Sequence, residues 1–431
     1  MKVRQVKSLH FILLFAVFGL LFLPDCGVLD VGIESTPTIA MASPVSTSTV
    51  PIPTQTHFPG KLKPGQPLKI IQIQMLSPTD GWAVGQVETD LNDHIMFTQD
   101  GGQTWQERTP PEALLGSPPS GLSATAHFGA DGFAWVTYVN QMPQQSVPAR
   151  QQIWHTADAG VTWQASVMYL SGLQAEYFVP SNLGFIDEQH GWMMAHLGAG
   201  MNHDYIAIFT SADGGGTWQR VTDPENTPEL MGCAKTGLAF STPNNGWLTG
   251  NCPGLQENLF FYNTFDGGKT WQKMQVLPPN NQPAELFSKG KAGCGIPRLI
   301  YVSARSIMLN VRCAFYDSNK TVSWLYAGED NHLPDARYVP TPYGSFSFIN
   351  AEEGWLVGAW LDDPVAPGEI YHSIDGGASW KLVISTAWQG IPDFVDANNG
   401  WVIAHSADKS ALVFSADGGK TWKDLAPQVT R

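Results

Sequence analysis

Short apolar runs punctuated by glycine, with no long amphipathic stretch, set the pattern of this chain. Six Gly-aromatic pairs open such runs: Gly81-Trp82, Gly132-Phe133, Gly191-Trp192, Gly246-Trp247, Gly354-Trp355 and Gly400-Trp401. The residues that follow, as in Ala83-Val84-Gly85, Leu248-Thr249-Gly250 and Leu356-Val357-Gly358, are too few for a helix and suit a strand. Other β-like segments, such as Ile70 to Met75 and Phe346 to Ile349, precede several of the pairs. A second pattern, Ser/Thr-x-Asp-x-Gly-x-x-Trp, runs in step with the first. Its six copies are Thr98 to Trp105, Thr156 to Trp163, Ser211 to Trp218, Thr264 to Trp271, Ser373 to Trp380 and Ser415 to Trp422.

Successive tryptophans of this second pattern, called the box below, are 58, 55, 53, 109 and 42 residues apart. The gap of 109 spans two periods, so a seventh unit without a box is expected at about 292–340. Leu299 to Ser303, Ile307 to Val311 and Val322 to Tyr326 read as its first three strands, and Gly328 to Asn331 as its turn. A degenerate box at Asp317 to Trp324 is the other placement, with poorer spacing. Repetition at this period means an array of units, each too small to bury a core alone. The chain is predicted to be all-β, a seven-bladed β-propeller with four antiparallel strands per blade. Its first and last strands are expected to meet only by packing of blade seven on blade one, unless residues 55–67 add a strand.

The box is turn chemistry. A carboxylate accepts N–H groups of its own turn, glycine takes a positive φ without penalty, and tryptophan covers the hairpin. Repetition argues for a structural brace, since a catalytic group is normally unique in a chain. The residues concerned are Asp100 and Trp105, Asp158 and Trp163, Asp213 and Trp218, Asp266 and Trp271, Asp375 and Trp380, and Asp417 and Trp422.

The pattern is identified as the Asp-box, or bacterial neuraminidase repeat, which Ser415 to Trp422 matches in full. The pairing of Asp-Gly-Trp-Ala-Val-Gly at 80–85 with Asp-Gly-Gly-Gln-Thr-Trp at 100–105 resembles the photosystem II stability/assembly factor family, and more loosely the sortilin ectodomain. The resemblance covers residues 68 to 427. It implies a propeller that acts as a scaffold for a membrane-protein client. The family's basic client-binding patch is not evident: the ring's arginines are 108, 150, 220, 298, 305, 312 and 337.

The N-terminus reads as an export signal, residues 1–26. Lys2, Arg4 and Lys7 precede a 13-residue apolar run, Phe11 to Leu23, short for a membrane span. Leu23 to Gly27 is similar to a bacterial lipobox, with Cys26 as the lipidation candidate, although Asp25 stands where a small residue is expected. Ordinary secretion, with cleavage after Ala42, and an uncleaved anchor are the alternatives. Residues 27–67, rich in Ser, Thr and Pro from residue 34, read as an extended tether before the domain at 68–427.

Setting Cys26 aside leaves Cys233, Cys252, Cys294 and Cys313, in two pairs each 19 residues apart. Each pair brackets equivalent elements of units four and five. Bridges 233–252 and 294–313 are therefore expected, among three possible pairings, in a compartment that keeps them oxidised. No Cys/His cluster has zinc-type spacing, and no cofactor motif is present.

With 24 basic and 38 acidic residues the chain carries −14, and nucleic acid is not an expected ligand. A sialidase needs three arginines, one before the first box, yet none lies between Arg4 and Arg108. An inverting glycosidase needs two carboxylates roughly 6.5–9.5 Å apart. Asp187, Asp204, Asp362 and Asp363 are the candidates, as acidic residues near loops. The reading is a non-catalytic scaffold for a protein partner at the cell surface, with a glycan-binding or glycoside-hydrolase-like propeller as alternative. The long connections Asn140 to Gln152, Leu197 to Tyr205 and Leu361 to Glu369, with Met142, Met201 and Trp360 in or beside them, are the expected contact loops.

Overall fold

The computed structural model describes residues 62–431 except 115–117, 142–147, 149, 253–258, 288–290, 304–305, 319, 330–332 and 334–335. The export signal, Cys26, most of the tether, Met142 and the turn at Asp330-Asn331 lie outside the described residues.

The strands fall into successive four-stranded antiparallel units. The first comprises Lys69–Met75, Gly81–Val87, Asp90–Thr98 and Thr104–Glu107, and the second Leu122–Phe128, Ala134–Asn140, Arg150–Thr156 and Gln164–Tyr169. Unit three has Val179–Phe185, Gly191–Gly200, His203–Ser211 and Gln219–Thr222, and unit four Ala234–Phe240, Gly246–Asn251, Phe260–Thr264 and Gln272–Lys273. Unit five, without a box, has the long strands Ala292–Ser303, Ser306–Phe315 and Thr321–Glu329, then Arg337–Val339. Unit six has Tyr343–Phe348, Gly354–Ala359, Gly368–Ser373 and Lys381–Thr386, and unit seven Gln389–Phe394, Gly400–Ser406, Lys409–Ser415 and Lys423–Leu425. Among the described residues a single bridge, Asn251 to Gly295, joins units four and five into one sheet. Trp324 lies in the third strand of unit five, paired with Val311, so no box turn forms at 317–324.

Sequence dictates why glycine precedes the aromatic. Gly191, Gly246, Gly354 and Gly400 each face the last residue of the first strand, a phenylalanine, and on the other side the Ser/Thr of the box. A Cβ there would run into the ring of Phe185, Phe240, Phe348 or Phe394. Unit two departs from the expected pair. Gly132 sits in a short 3-10 turn, Ala130–Gly132, at φ +83°, and Ala134-Trp135 occupies the register of the other Gly-Trp pairs. The local Gly-Phe match therefore placed the strand start two residues early.

Each tryptophan of these pairs reaches the next unit. Trp82 stacks on Phe128, Trp135 on Phe185 and Trp355 on Phe394, with ring centroids 5.4, 3.8 and 4.0 Å apart. Trp135, Trp355 and Trp401 donate their indole N–H to a box carbonyl of the following unit, at Gly214, Gly418 and Gly101. Every apolar core cluster among the described residues lies between two neighbouring units, including one that joins unit seven to unit one through Trp401, Leu412, Trp105 and Ile70. The core of this fold is thus its seams, as expected of stacked repeats.

The residue before the closing aromatic of the first strand adds a polar seam bond in three units. Ser347 accepts the N–H of Phe394 at 2.9 Å, Asp393 accepts that of Met75 at 2.6 Å, and the His127 ring is bonded to the backbone of Phe185. Burial pushes the His127 imidazole down to about 4 and the Asp393 carboxyl up to about 7, the latter against the opposing effect of the Met75 N–H.

Closure differs from the expectation of packing alone. After unit seven, Gln428–Thr430 forms a further strand, parallel to Thr104–Glu107, on the outer edge of unit one. Its other edge is taken by the N-terminal segment: Gly65 donates to Val429 O, Val429 to Gln66 O and Leu68 to Pro427 O, at 2.8–3.0 Å. The ring therefore takes in residues on both sides of 68–427, and its two ends are held by each other. Val429 is buried at this clasp, so the outer edge of unit one is covered.

Candidate functional site

The two faces of the ring differ in chemistry. On one face lie the turns between first and second strands and the box turns. They are tied together six times by the N–H of the residue after the box aspartate. Gly101 donates to Thr79 O, Ala159 to Gly132 O, Gly214 to Gln189 O, Gly267 to Asn244 O, Gly376 to Glu352 O and Gly418 to Asn398 O, at 2.6–3.0 Å.

Within each box the aspartate is fully engaged by its own turn. In the first, Asp100 Oδ1 accepts the Thr98 hydroxyl and the Thr104 N–H, both at 2.9 Å, and Oδ2 accepts the Thr104 hydroxyl at 2.7 Å. Asp158 and Thr162, Asp213 and Thr217, Asp266 and Thr270, Asp375 and Ser379, and Asp417 and Thr421 repeat this. The hydroxyl just before the tryptophan is a partner the eight-residue pattern did not single out. Partial burial pushes the carboxyls of Asp100, Asp158, Asp213 and Asp266 up, but these hydrogen bonds outweigh it and hold them below the ordinary value. At Asp417 the hydroxyl and N–H of Thr421 dominate and bring it down to about 2, and Ser379 does the same for Asp375 in direction.

Trp105, Trp218, Trp271 and Trp422 donate to the carbonyl of Gly102, Gly215, Gly268 and Gly419 in their own box, at 2.9–3.1 Å. Unit two has Ala159 in the left-handed region, φ +55°, where the other boxes have glycine. There Trp163 turns instead to Arg108 O, at 2.8 Å. Trp380 Nε1 is buried without a hydrogen bond among the described residues.

The opposite face carries the connections between second and third strands. Both disulfides are here: Cys233–Cys252 and Cys294–Cys313, with Cα atoms 4.6 and 4.1 Å apart. Cys294 and Cys313 are directly opposed in the ladder, which explains the short separation. In unit three the second and third strands extend into a long hairpin. Met201 is 95% exposed at its tip, and the His203 ring stacks on Tyr205, centroids 5.9 Å apart. A charged cluster fastens this hairpin to unit four. Asp204 Oδ1 meets His196 Nδ1 at 2.8 Å, and Oδ2 accepts the Lys235 N–H at 2.8 Å. Lys235 Nζ donates to the carbonyls of Asp204, Gly232 and Cys233, at 2.8–3.0 Å. Burial pushes the Lys235 ammonium down to about 8.

On unit six Trp360, Leu361 and Val365 project from one loop, each more than half exposed. Trp360 Nε1 donates to Glu369 Oε2 at 3.0 Å, which also accepts the Tyr371 hydroxyl at 2.6 Å. Tyr316 of unit five is exposed on the same face. Between units four, five and six lies a cleft of about 240 Å³, with Asn251, Arg312, Tyr343 and Asp362 on its wall.

The four carboxylates named as catalytic candidates are not gathered. Asp187 caps a turn on the box face through the N–H groups of Gln189 and His190. Asp204 is consumed at the far end of the same unit. Asp362 and Asp363 are exposed on the unit-six loop, where Asp363 accepts the N–H of Val365. Among the described residues no three metal-ligating side chains are grouped to hold an ion, and no helix is long and apolar enough to cross a membrane.

No protein-family model matches the chain. A curated protein of Synechococcus sp. (strain CC9902), the photosystem II assembly lipoprotein Ycf48, is 24% identical over 191 residues, 43% of this chain. The match spans 47% of that protein, about half its length. Among solved structures, the GH74 enzyme of Niastella koreensis and the GH74 xyloglucanase of Xanthomonas campestris superpose with TM-scores of 0.51 at 13% identity. They cover 87% and 85% of this chain and 55% and 54% of their own. At that identity the likeness concerns the fold alone. The chain is an all-β propeller that resembles the photosystem II assembly factor.

Proposed function

We propose that the protein is an exported, non-catalytic scaffold that holds a protein partner on the face opposite the boxes. The observation that carries this is the grouping of exposed apolar side chains. On the box face Val161, Phe265 and Ile374 stand singly, one in each of three turns. On the opposite face Met201 with Tyr205, and Trp360 with Leu361 and Val365, project in clusters from single connections. Large aromatic and Met side chains grouped at a surface mark protein contacts. The likeness to an assembly lipoprotein supports the same reading, with a membrane-protein client as the partner. In this reading residues 1–26 export the chain, a lipid at Cys26 anchors it, and the tether, as far as the clasp that begins near Leu62, holds the ring away from the membrane. The box carboxylates are then turn braces and the two disulfides braces of the working face.

The test is recovery of partners from solubilised membranes by the mature protein, with a zero-length crosslink to identify them. Trp360→Ala combined with Leu361→Ser should abolish recovery of a named partner at an unchanged melting temperature, while Phe265→Ser on the box face should not. Equal recovery by both variants overturns the proposal. So does binding to an oligosaccharide array that the first variant loses, with no protein recovered.

A further inference from the structure

The cleft between units four, five and six holds a cation that makes no ion pair among the described residues, with the Asp362 carboxylate on the rim. Arg312 projects from the second strand of unit five and is half-buried, its guanidinium carbon 4.8 Å from the centre of the Tyr343 ring. Other arginines of the ring are engaged: Arg108 with Gln106, Arg220 with Asp223, Arg337 with Gly376 O. Among the described residues the Arg312 side chain has neither a hydrogen bond nor an ion pair. A guanidinium laid on an aromatic face keeps its planar fork fixed and its N–H donors free.

The wall of the cleft is closely packed around it. Gly295 pairs with both Arg312 and Asn251, and a Cβ there would strike the Asn251 side chain. A Cβ on Gly293 would lie 3.0 Å from the Tyr316 hydroxyl. Cys252 and Cys294, one from each disulfide, line the wall, so two covalent bridges fix its shape. Asn251 offers both an acceptor and donors beside the guanidinium, and the Asp362 carboxylate an acceptor on the rim. In a chain of net charge −14, a guanidinium that makes no ion pair in a rigid cleft is a local exception. It selects anions of matching geometry, and a carboxylate fits the fork with two parallel bonds.

We infer that this cleft binds a carboxylate of the protein partner, either a chain end or an acidic side chain, with Asn251 or Asp362 pairing the adjacent amide. The identity of the ligand as protein rests on the scaffold reading above; the carboxylate preference rests on Arg312. Trp360 and Leu361 precede Asp362 on the same loop and offer exposed apolar surface for the residues that precede the carboxylate.

The experiment follows the Arg312 Nε–Hε resonance of the intact, oxidised protein, identified by its absence in Arg312→Lys. The probes are N-acetylglycine for a chain end, N-acetylglutamic acid α-amide for a side chain, N-acetylglycinamide as the neutral control, and glucuronate. Either carboxylate peptide probe should give a saturable shift and N-acetylglycinamide none; which of the two binds tighter names the source. The chemical shifts of residues around the cleft should respond roughly tenfold more weakly in Arg312→Lys, which keeps the charge but not the fork. No saturable shift with either peptide carboxylate, an equal shift with sodium chloride, or a shift with glucuronate alone overturns the inference. Arg312→Gln separates the two proposals. If it still recovers the partner as well as wild type does, the carboxylate site falls and the scaffold stands. If wild type recovers no partner yet N-acetylglycine saturates the resonance, the scaffold reading falls and the site stands.

Discussion

Unit five and the boxed units reach the same four-stranded shape by different means. A boxed unit closes its last hairpin with a dense local network: one carboxylate and two hydroxyls, repeated with distances that barely vary, joined in four of the six boxes by the indole N–H. Unit five has no box in its sequence, and none of these bonds among its described residues. Its first three strands instead run 12, 10 and 9 residues, and a disulfide crosses the first two. Its last strand is tied across the seam by Arg337, whose Nη1 donates to Gly376 O in the box of unit six. Long ladders and one covalent link do there what short-range polar bonds do elsewhere. The difference teaches that the box secures a hairpin and is dispensable to the blade. The unit without it is the one that supplies Arg312 to the cleft.

The largest effect should come from the covalent brace. Replacing Cys294 and Cys313 together by serine should cost roughly 2–4 kcal/mol in denaturant unfolding, more than the same change at Cys233 and Cys252, because unit four keeps its box. Non-reducing peptide mapping establishes both links beforehand. An equal or smaller loss from the unit-five pair breaks the comparison.

Next in size is the box itself. Asp213→Ala removes the acceptor for Ser211 and Thr217 and should lower stability by about 1–3 kcal/mol. The Asp213 carboxyl is held below its ordinary value of 3.8. The contribution is therefore complete above that value and disappears as pH falls through the lower, folded one. Melting curves of the variant and wild type should differ most near neutral pH and converge in strong acid. Variants of the unit-five pair have no such carboxylate and should show a pH-independent gap.

The smallest effect expected is at the seam. Arg337→Ala should cost about 0.5–1.5 kcal/mol by releasing the Gly376 carbonyl. Arg337→Lys should restore only part of it, since one point donor replaces a fork. If hydrogen exchange at Gly376 and Gly377 is unchanged in the alanine variant, unit five is not tied to its neighbour in this way.

What the chain reveals of this fold before folding follows from range. The box and the Gly-Trp pair are local patterns, and the turn and strand they imply are set within eight to ten residues, so the propeller was legible from spacing. The two-residue error at Gly132-Phe133 arose because Ala134 stands where the other units have glycine, opposite Phe128 and Thr156. The clasp was not legible. Gln428-Val429-Thr430 has no distinguishing pattern, and its partners Thr104 to Gln106 lie more than 320 residues away. The seam role of Trp135, Trp355 and Trp401 was equally hidden, because an indole N–H meets the neighbouring unit only after the ring forms. Arg312 belongs to the same class. Its cleft is assembled from segments near residues 251, 294, 312, 343 and 362, and no one of them carries a signal of its own.

A ring whose ends grip each other has no privileged starting point. Gly65 and Val429 already share a hydrogen bond of 2.8 Å, so in a chain trimmed to begin at the clasp a short glycine-rich joint can make the ring covalently circular. New ends can then be cut into an exposed connection, such as the one between Leu361 and Val365, leaving every seam with the same two neighbours. The order of units along the gene is one of several circular permutations that encode the same object.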